Sequence, residues 1–380
     1  MTIASKLPDV GITIFTVMSK LAADHGAINL SQGFPDFDAP AELIERVGHH
    51  MRSGMNQYAP MQGVPALRQR IAEKIKALYD CDVDPDTWIT ITSGATEALF
   101  AAISAVVRPG DEVIVVEPAY DAYVPVIQLN GGVPVFIPLS FPDYTVDWDR
   151  LRDALTARTR LIILNSPHNP TGTVLDTQDM AALKAIAADR DLFILGDEVY
   201  EHIVFDGRVH QSLLRHPELA RKSFVVSSFG KTYHTTGWKI GYCVAPPEMT
   251  VEFQKIHQFL TFTSNTPVQL AYADFMQHTE HYLQLAGFYQ RKRDLFLEHM
   301  RPSRFKPLPC AGTYFQMMDY SAITDAPDID FARRLTTEFG VAAIPPSVFY
   351  HDRRDHQVLR FCFAKQDQTL IQAAELLCRI

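Results

Sequence analysis

Apolar residues fall in two rhythms along this chain. Between residues 88 and 245, short runs that are apolar almost throughout alternate with stretches of helical length. The runs are 88–91, 113–116, 133–137, 161–164, 193–195, 224–227 and 240–245. Continuous β-prone runs of this kind mark strands buried on both faces. Segments 94–107, 120–130, 176–190 and 210–221 lie between them and have helical length. Strand–helix alternation predicts an α/β architecture, a mostly parallel seven-stranded sheet between helices. The loop between 224–227 and 240–245 is too short for a helical crossover, so one of these strands is expected to run antiparallel.

On either side the rhythm changes. Residues 64–79 predict a helix, with Leu67, Ile71, Ile75 and Leu78 on one core-facing stripe. Residues 248–300 read as one long helical region, followed by strand-like 312–318 and 358–363 and helical 328–340 and 367–378. That succession predicts a second, smaller α+β domain. The first forty residues are punctuated by Pro and Gly and read as an arm ending in an extended turn at 29–37, packed on the smaller domain. The expected division is 1–42 for the arm and part of the small domain, 43–285 for the large domain, and 286–380 for the small C-terminal domain.

Composition narrows the function classes. A chain of 380 residues exceeds one ordinary core, and 47% hydrophobic with 21% charged residues is a folded, globular balance. The net charge of −9 argues against a nucleic-acid partner. No apolar run reaches the roughly 18–20 residues of a membrane span, and residues 1–8 lack the apolar core of a signal peptide. The cysteines, at 81, 243, 310, 362 and 378, are scattered and form no Cys-x-x-Cys, so a cytoplasmic location is expected. The histidines form no His-Glu-x-x-His, and His278 and His281 lack an evident third ligand, so no metal is expected. Repeats and low-complexity tracts are absent.

Four polar segments follow predicted strands, where parallel sheets gather their ligands. Thr92-Ser93-Gly94-Ala95-Thr96-Glu97 offers small residues and a helix start to an anion, or is an ordinary N-cap. Asn165-Ser166-Pro167-His168-Asn169-Pro170-Thr171-Gly172 is stiffened by its prolines and presents Asn169, or is a structural turn. Gly196-Asp197-Glu198-Val199-Tyr200 places a carboxylate straight after a buried run, which is expensive unless a cation pairs with it. Finally, Ser227-Ser228-Phe229-Gly230-Lys231-Thr232 imitates the end of a Walker A loop, but position 225 is Val where that loop needs Gly. Lys231 is better read as a reactive amine whose pKa is lowered by a desolvated, cationic pocket, with Lys239 as a positive neighbour.

Taken in order, Asn-x-Pro-x-Asn-Pro-x-Gly, Asp-Glu-x-Tyr, Ser-x-x-Lys and Gly-x-Lys-x-Gly resemble the class I aminotransferases, enzymes of fold type I that depend on pyridoxal 5'-phosphate. The likeness spans essentially the whole chain and is strongest to the bacterial methionine and the kynurenine/glutamine branches. It implies that Lys231 carries the cofactor as a Schiff base and shuttles the substrate proton. Asp197 would pair with the pyridine nitrogen, Asn169 and Tyr200 would bond the ring oxygen, and Tyr120 would stack on the ring, with Tyr123 as its rival. The phosphate would rest on Ala95, Thr96, Ser228 and Lys239. Lys239 departs from the arginine of the aspartate branch. Arg360 would clamp the substrate carboxylate, with the backbone amide of Gly33 nearby. Tyr58 would reach the neighbouring subunit's phosphate, which implies a homodimer with shared sites.

The resemblance also bears on substrate. The aspartate branch reads a side-chain carboxylate with a second arginine, and this chain has none between residues 222 and 290. With Phe15, Phe34, Tyr58 and Phe262 near the family's pocket positions, the expected donor is a neutral apolar or aromatic amino acid: methionine, glutamine, phenylalanine, tyrosine or kynurenine. The acceptor is a 2-oxo acid, in a ping-pong reaction. The cofactor motifs leave open a β-lyase acting on cysteine S-conjugates. A regulator built on the same fold would add a DNA-binding domain, for which the 380 residues leave no room.

Overall fold

The computed structural model describes residues 3–188 and 190–380. The chain enters through α1 (Ile14–His25) and β1 (Ile28–Asn29), then α2 (Ala41–Arg52) and α3 (Pro65–Tyr79). The strands that follow are β2 (Ile89–Thr92), β3 (Glu112–Glu117), β4 (Val133–Pro138), β5 (Thr159–Asn165), β6 (Phe193–Asp197), β7 (Ser223–Ser228) and β8 (Gly241–Val244). They form one seven-stranded sheet in the order β2-β8-β7-β6-β5-β3-β4. Only β8 runs against its neighbours, pairing antiparallel with both β2 and β7. The expected antiparallel strand is therefore the last one. Period-2 alternation splits each central strand between two apolar clusters: Val113 and Val115 join one, Ile114 and Val116 the other. Both faces are covered by helices, which is why these runs carry almost no polar residue.

Beyond β8 come β9 (Lys306–Pro307), β10 (Phe315–Asp319), β11 (Val341–Ala342) and β12 (Val358–Cys362). β12, β10 and β9 make a three-stranded antiparallel sheet. β1 pairs in parallel with β11, tying the N-terminal segment to the C-terminal region. A third apolar cluster collects Met18 and Leu30 with Phe296, Phe315, Phe361 and Leu370. It also takes Tyr200, Ile203 and Phe205 from the strand-β6 exit, so the middle of the chain contributes to it.

Several elements differ from expectation. The N-terminal stretch read as an arm contains α1, capped by the Thr13 side chain and by Gly26 at φ 63°. Of the Pro and Gly punctuation read there, Gly26 ends this helix in a left-handed cap, while its start is set by Thr13. Segment 210–221 holds only a turn of 3-10 helix at Leu213–Arg215 and a short helix at Pro217–Ala220. His216 is extended there, because the residue before a proline is pushed out of the helical region. The region 248–300 is four helices: Pro247–Leu260, Thr266–Phe275, Glu280–Leu283 and Leu285–Met300. Phe262, at φ 65°, and the Asn265 cap break the first join. The helix expected over 120–130 spans only Tyr123–Leu129, and the strand expected at 312–318 is Phe315–Asp319.

Ile114 is fully buried in the large sheet. Ile114→Ala is expected to destabilise the protein by about 2–5 kcal/mol through lost transfer energy and a residual cavity. A lowered urea midpoint of the purified apoprotein would show it.

Candidate active site

Strand pairing itself assembles the site. Asn165 sits opposite Asp197 across β5 and β6, and Gly241 of β8 sits opposite both Ser228 and Thr92. The polar ends of four strands thus meet at one edge. A cavity of about 220 Å³ opens there. Of the residues expected at the site, Phe15, Gly33, Ala95, Thr96, Tyr120, Asn169, Asp197, Tyr200, Ser228, Lys231, Lys239 and Arg360 line it, whereas Tyr58, Phe34, Phe262 and Tyr123 do not. Tyr58 is 83% exposed and stands edge-on to Phe262, outside this chain's own cavity.

Lys231 lies in the four-residue helix Phe229–Thr232 that β7 feeds. Its Nζ donates to the Tyr314 hydroxyl at 2.9 Å and to the Gly33 carbonyl at 3.2 Å. Removal from bulk water, with Arg360 and Lys239 close by, lowers its pKa to about 8. Asp197 ends β6 and is 4% exposed. Its Oδ2 accepts from the Tyr123 hydroxyl at 2.6 Å, and it has no ion-pair partner among the described residues. Burial raises its pKa to about 6 despite the Tyr123 bond. Tyr123, the rival for the stacking role, therefore serves the carboxylate, while Tyr120 lines the cavity. Burial pushes the Tyr120 hydroxyl up to about 12 and the Tyr200 hydroxyl well above its ordinary value.

Arg360 projects from β12 and is fully buried. Nη1 donates to Asn169 Oδ1 at 2.8 Å and Nη2 to the Ser31 carbonyl at 2.6 Å. The guanidinium lies 3.9 Å from the ring centre of Phe315 and 5.2 Å from that of Phe15. Its Nε is buried without a partner, and no carboxylate pairs with it among the described residues. Burial lowers its pKa to about 10. A cation held only by neutral acceptors and ring faces is prepared for an anion from outside.

At the far end, Lys239 adopts φ 56° and points Nζ at Thr96 Oγ1, 3.4 Å away. Gly94, at φ 76°, leaves room beside it: a Cβ there would lie 3.2 Å from Lys239 Nζ. A Cβ on Gly241 would lie 2.8 Å from the Ala95 amide. Small residues thus clear the first turn of the helix that begins at Gly94, α4 (Gly94–Val106), for an anion.

Tyr314, Phe315 and Ser31 escaped the sequence reading. A buried aromatic on a strand carries the same signal whether it packs a core or bonds a lysine, and Ser31 acts through its carbonyl. Gly33 was expected to offer its amide, whereas the contact formed is through its carbonyl, because the turn points that oxygen at Lys231. Among the described residues no cluster of three His, Cys, Asp or Glu side chains is arranged to hold a metal.

Together the sheet order and this edge define a fold type I transferase that uses pyridoxal 5'-phosphate. The chain belongs to the family of class I and II aminotransferases, whose model matches residues 25–377. It is similar to the methionine aminotransferase of Escherichia coli, 54% identical over 98% of this chain and 97% of that protein. It is also similar to human kynurenine–oxoglutarate transaminase 1, 31% identical over 97% of this chain and 95% of that protein. A crystal structure of an E. coli protein identified as a methionine aminotransferase superposes with a TM-score of 0.98, at 53% identity and full coverage of both chains. The residues fit the cofactor: Asp197 is a buried carboxylate without an ion-pair partner among the described residues, Lys231 an amine whose pKa is lowered, and the glycine-lined turn has room for an anion.

In the apoprotein, labelling of Lys231 by an amine-reactive reagent should titrate with a midpoint near about 8, against ~10.4 for an ordinary lysine. Between those values the unfolded chain binds a proton that native Lys231 has lost, so this group makes the native state more stable as pH rises. Peptide mass spectrometry across pH measures the midpoint. A value near 10 would show a solvated amine.

Proposed function

We propose that the protein transfers the amino group of a neutral apolar or aromatic amino acid, of the methionine class, to a 2-oxo acid. The observation that carries this reading is Arg360, a buried guanidinium without an anionic partner, in one cavity with Lys231. The cations lining that cavity among its described residues are Lys231, Lys239 and Arg360. Each has a task at the amine, the phosphate or the α-carboxylate, so none is left for a side-chain carboxylate. Phe15 and Phe315 give the wall an apolar character. Similarity to the methionine aminotransferase and the kynurenine transaminases supports the same choice.

When bound, pyridoxal phosphate supplies a carbonyl that condenses with amines and a ring that withdraws the electron pair left at the substrate α-carbon. Asp197 keeps a negative charge buried beside that ring's place, and Tyr123 holds the carboxylate in one orientation. Lys231, with its pKa near 8, can give up and regain a proton at its Nζ near neutral pH, as a base at the α-carbon must. Arg360 and Asn169 orient the substrate by its carboxylate, so that the α-hydrogen faces the lysine. Ala95, Thr96, Ser228 and Lys239 hold the phosphate, and Tyr120 and Tyr200 bound the ring's site.

Further parts of the reading concern assembly and location. Exposed Tyr58, Phe259 and Phe262 support a homodimer in which Tyr58 completes the partner's phosphate site. The three apolar clusters support a large domain over 43–285 and a small one built from 1–42 and 286–380. The free state of all five cysteines supports a reducing, cytoplasmic location. No helix among the described residues is long and apolar enough to cross a membrane.

A panel of amino donors against several 2-oxo acids tests the reaction, read as new amino acid formed. Methionine and aromatic donors should be active and aspartate poor. Pyruvate and ammonia from cysteine conjugates, with no new amino acid, would replace transfer by β-elimination. Lys231→Ala should abolish both turnover and the borohydride-reducible adduct that wild-type protein forms with the cofactor, located by mass spectrometry. Arg360→Lys, which keeps the charge but loses the fork, should raise the donor KM by about tenfold or more.

A further inference from the structure

Behind the turn that would carry the phosphate lies a buried pair that the reaction itself does not use. Glu97, in the first turns of α4, reaches back with Oε2 to accept the backbone N–H of Ser93 at 2.6 Å. Its Oε1 meets His257 Nδ1 at 2.5 Å. His257 is fully buried in the last turn of helix Pro247–Leu260, and its Nε2 faces the Met61 carbonyl at 2.9 Å. A carbonyl only accepts, so Nε2 carries a hydrogen, and the Nδ1 contact shares another with Glu97. Both ring nitrogens and both carboxylate oxygens are therefore committed. Ser93 is held a second time, through Oγ to the Ser264 hydroxyl at 3.1 Å.

The geometry fixes the residue that precedes Gly94-Ala95-Thr96. Without the Glu97 contact, the Ser93 amide would be left to water or unpaired, and the turn could reorient. Without His257, the Met61 carbonyl and the Glu97 carboxylate would both lose a buried donor. Met61 belongs to the same 57–64 loop as Tyr58. That loop is also pinned through the Gln57 carbonyl, which accepts from Thr266 Oγ1 at 2.6 Å, and the Val64 amide, which donates to Gln269 Oε1 at 2.8 Å.

We propose that Glu97 and His257 are positioning residues for the cofactor phosphate: a buried histidine–carboxylate brace that fixes the 93–96 turn and ties it to the loop bearing Tyr58. This rests on the phosphate location proposed above. The brace's hydrogen bond to the anion seat runs to the Ser93 amide, and none of its bonds reaches the residues around the ring's place, so its loss should weaken recognition of the phosphate and spare recognition of the ring.

Dissociation constants of the purified apoprotein for pyridoxal phosphate and for pyridoxal, which lacks the phosphate, separate these two contributions. Glu97→Ala and His257→Phe should each weaken pyridoxal phosphate by about tenfold or more, with pyridoxal within about threefold of wild type. Glu97→Gln retains an acceptor for Ser93 and a donor for the ring, and should restore wild-type affinity. If His257→Phe does not fold, the Glu97 pair decides. Unchanged phosphate affinity in Glu97→Ala, or an equal loss for both ligands, would overturn the proposal. Lys239→Ala reports on the underlying location. If it too leaves the ratio of the two constants unchanged, the phosphate seat is misplaced and the brace proposal falls with it. If it shifts the ratio and Glu97→Ala does not, only the brace is wrong.

Discussion

The register of the large sheet is the constraint on which the site depends. Asn165 can meet Asp197, and Ser228 can meet Gly241, only because β5, β6, β7 and β8 pair as they do. A slip of one residue would turn Asp197 to the opposite face and bring Gly196 or Glu198 opposite Asn165 in its place. That register is itself held by the apolar alternation of the strands, since each buries side chains on both faces. Core packing and catalytic geometry are thus set by the same pairing, and neither can drift without the other.

Upon that frame the protein keeps charges in places where water cannot compensate them. Asp197 and Arg360 are buried and Lys231 is half-buried, and removal from water moves all three pKa values toward the neutral form. Each is held by neutral partners: a tyrosine hydroxyl, a backbone carbonyl, an asparagine amide. Such contacts orient a charge without cancelling it. The opposite treatment is seen at Glu201, which Lys74 and Ser227 satisfy inside the fold and whose carboxyl stays below the usual range through Lys74. Glu201 is thus paired in support of structure, whereas Asp197 and Arg360 line the cavity without an ionic partner among the described residues.

Much of this was legible in the chain. The strand runs could be read because a strand buried on both faces carries almost no polar residue, and several site residues because they fall in the polar segments that follow such runs. Four motifs in order then joined segments that no single spacing could join. Other features left no such trace. Tyr314 sits beside Lys231 through a contact across 83 residues, and its strand reads as ordinary core. The Glu97–His257 pair is separated by 160 residues, and a lone histidine on a helix carries no sign of its partner. The helix breaks in 248–300 depend on a cap and on a left-handed Phe262, and both are weak signals amid strong helical periodicity. Long-range side-chain meetings and single-residue backbone choices are where a linear pattern holds least information.

The unpartnered Nε of Arg360 carries one more consequence, for selectivity. The cavity holds a positive charge that the protein does not neutralise, against a wall of aromatic rings. A simple amine, entering without a carboxylate, would add its own charge to that surplus and leave the guanidinium as it found it. An amino acid arrives with both signs and removes the imbalance. With Arg360 as the carboxylate clamp proposed above, charge balance would disfavour monoamines of the same size and hydrophobicity without a steric gate.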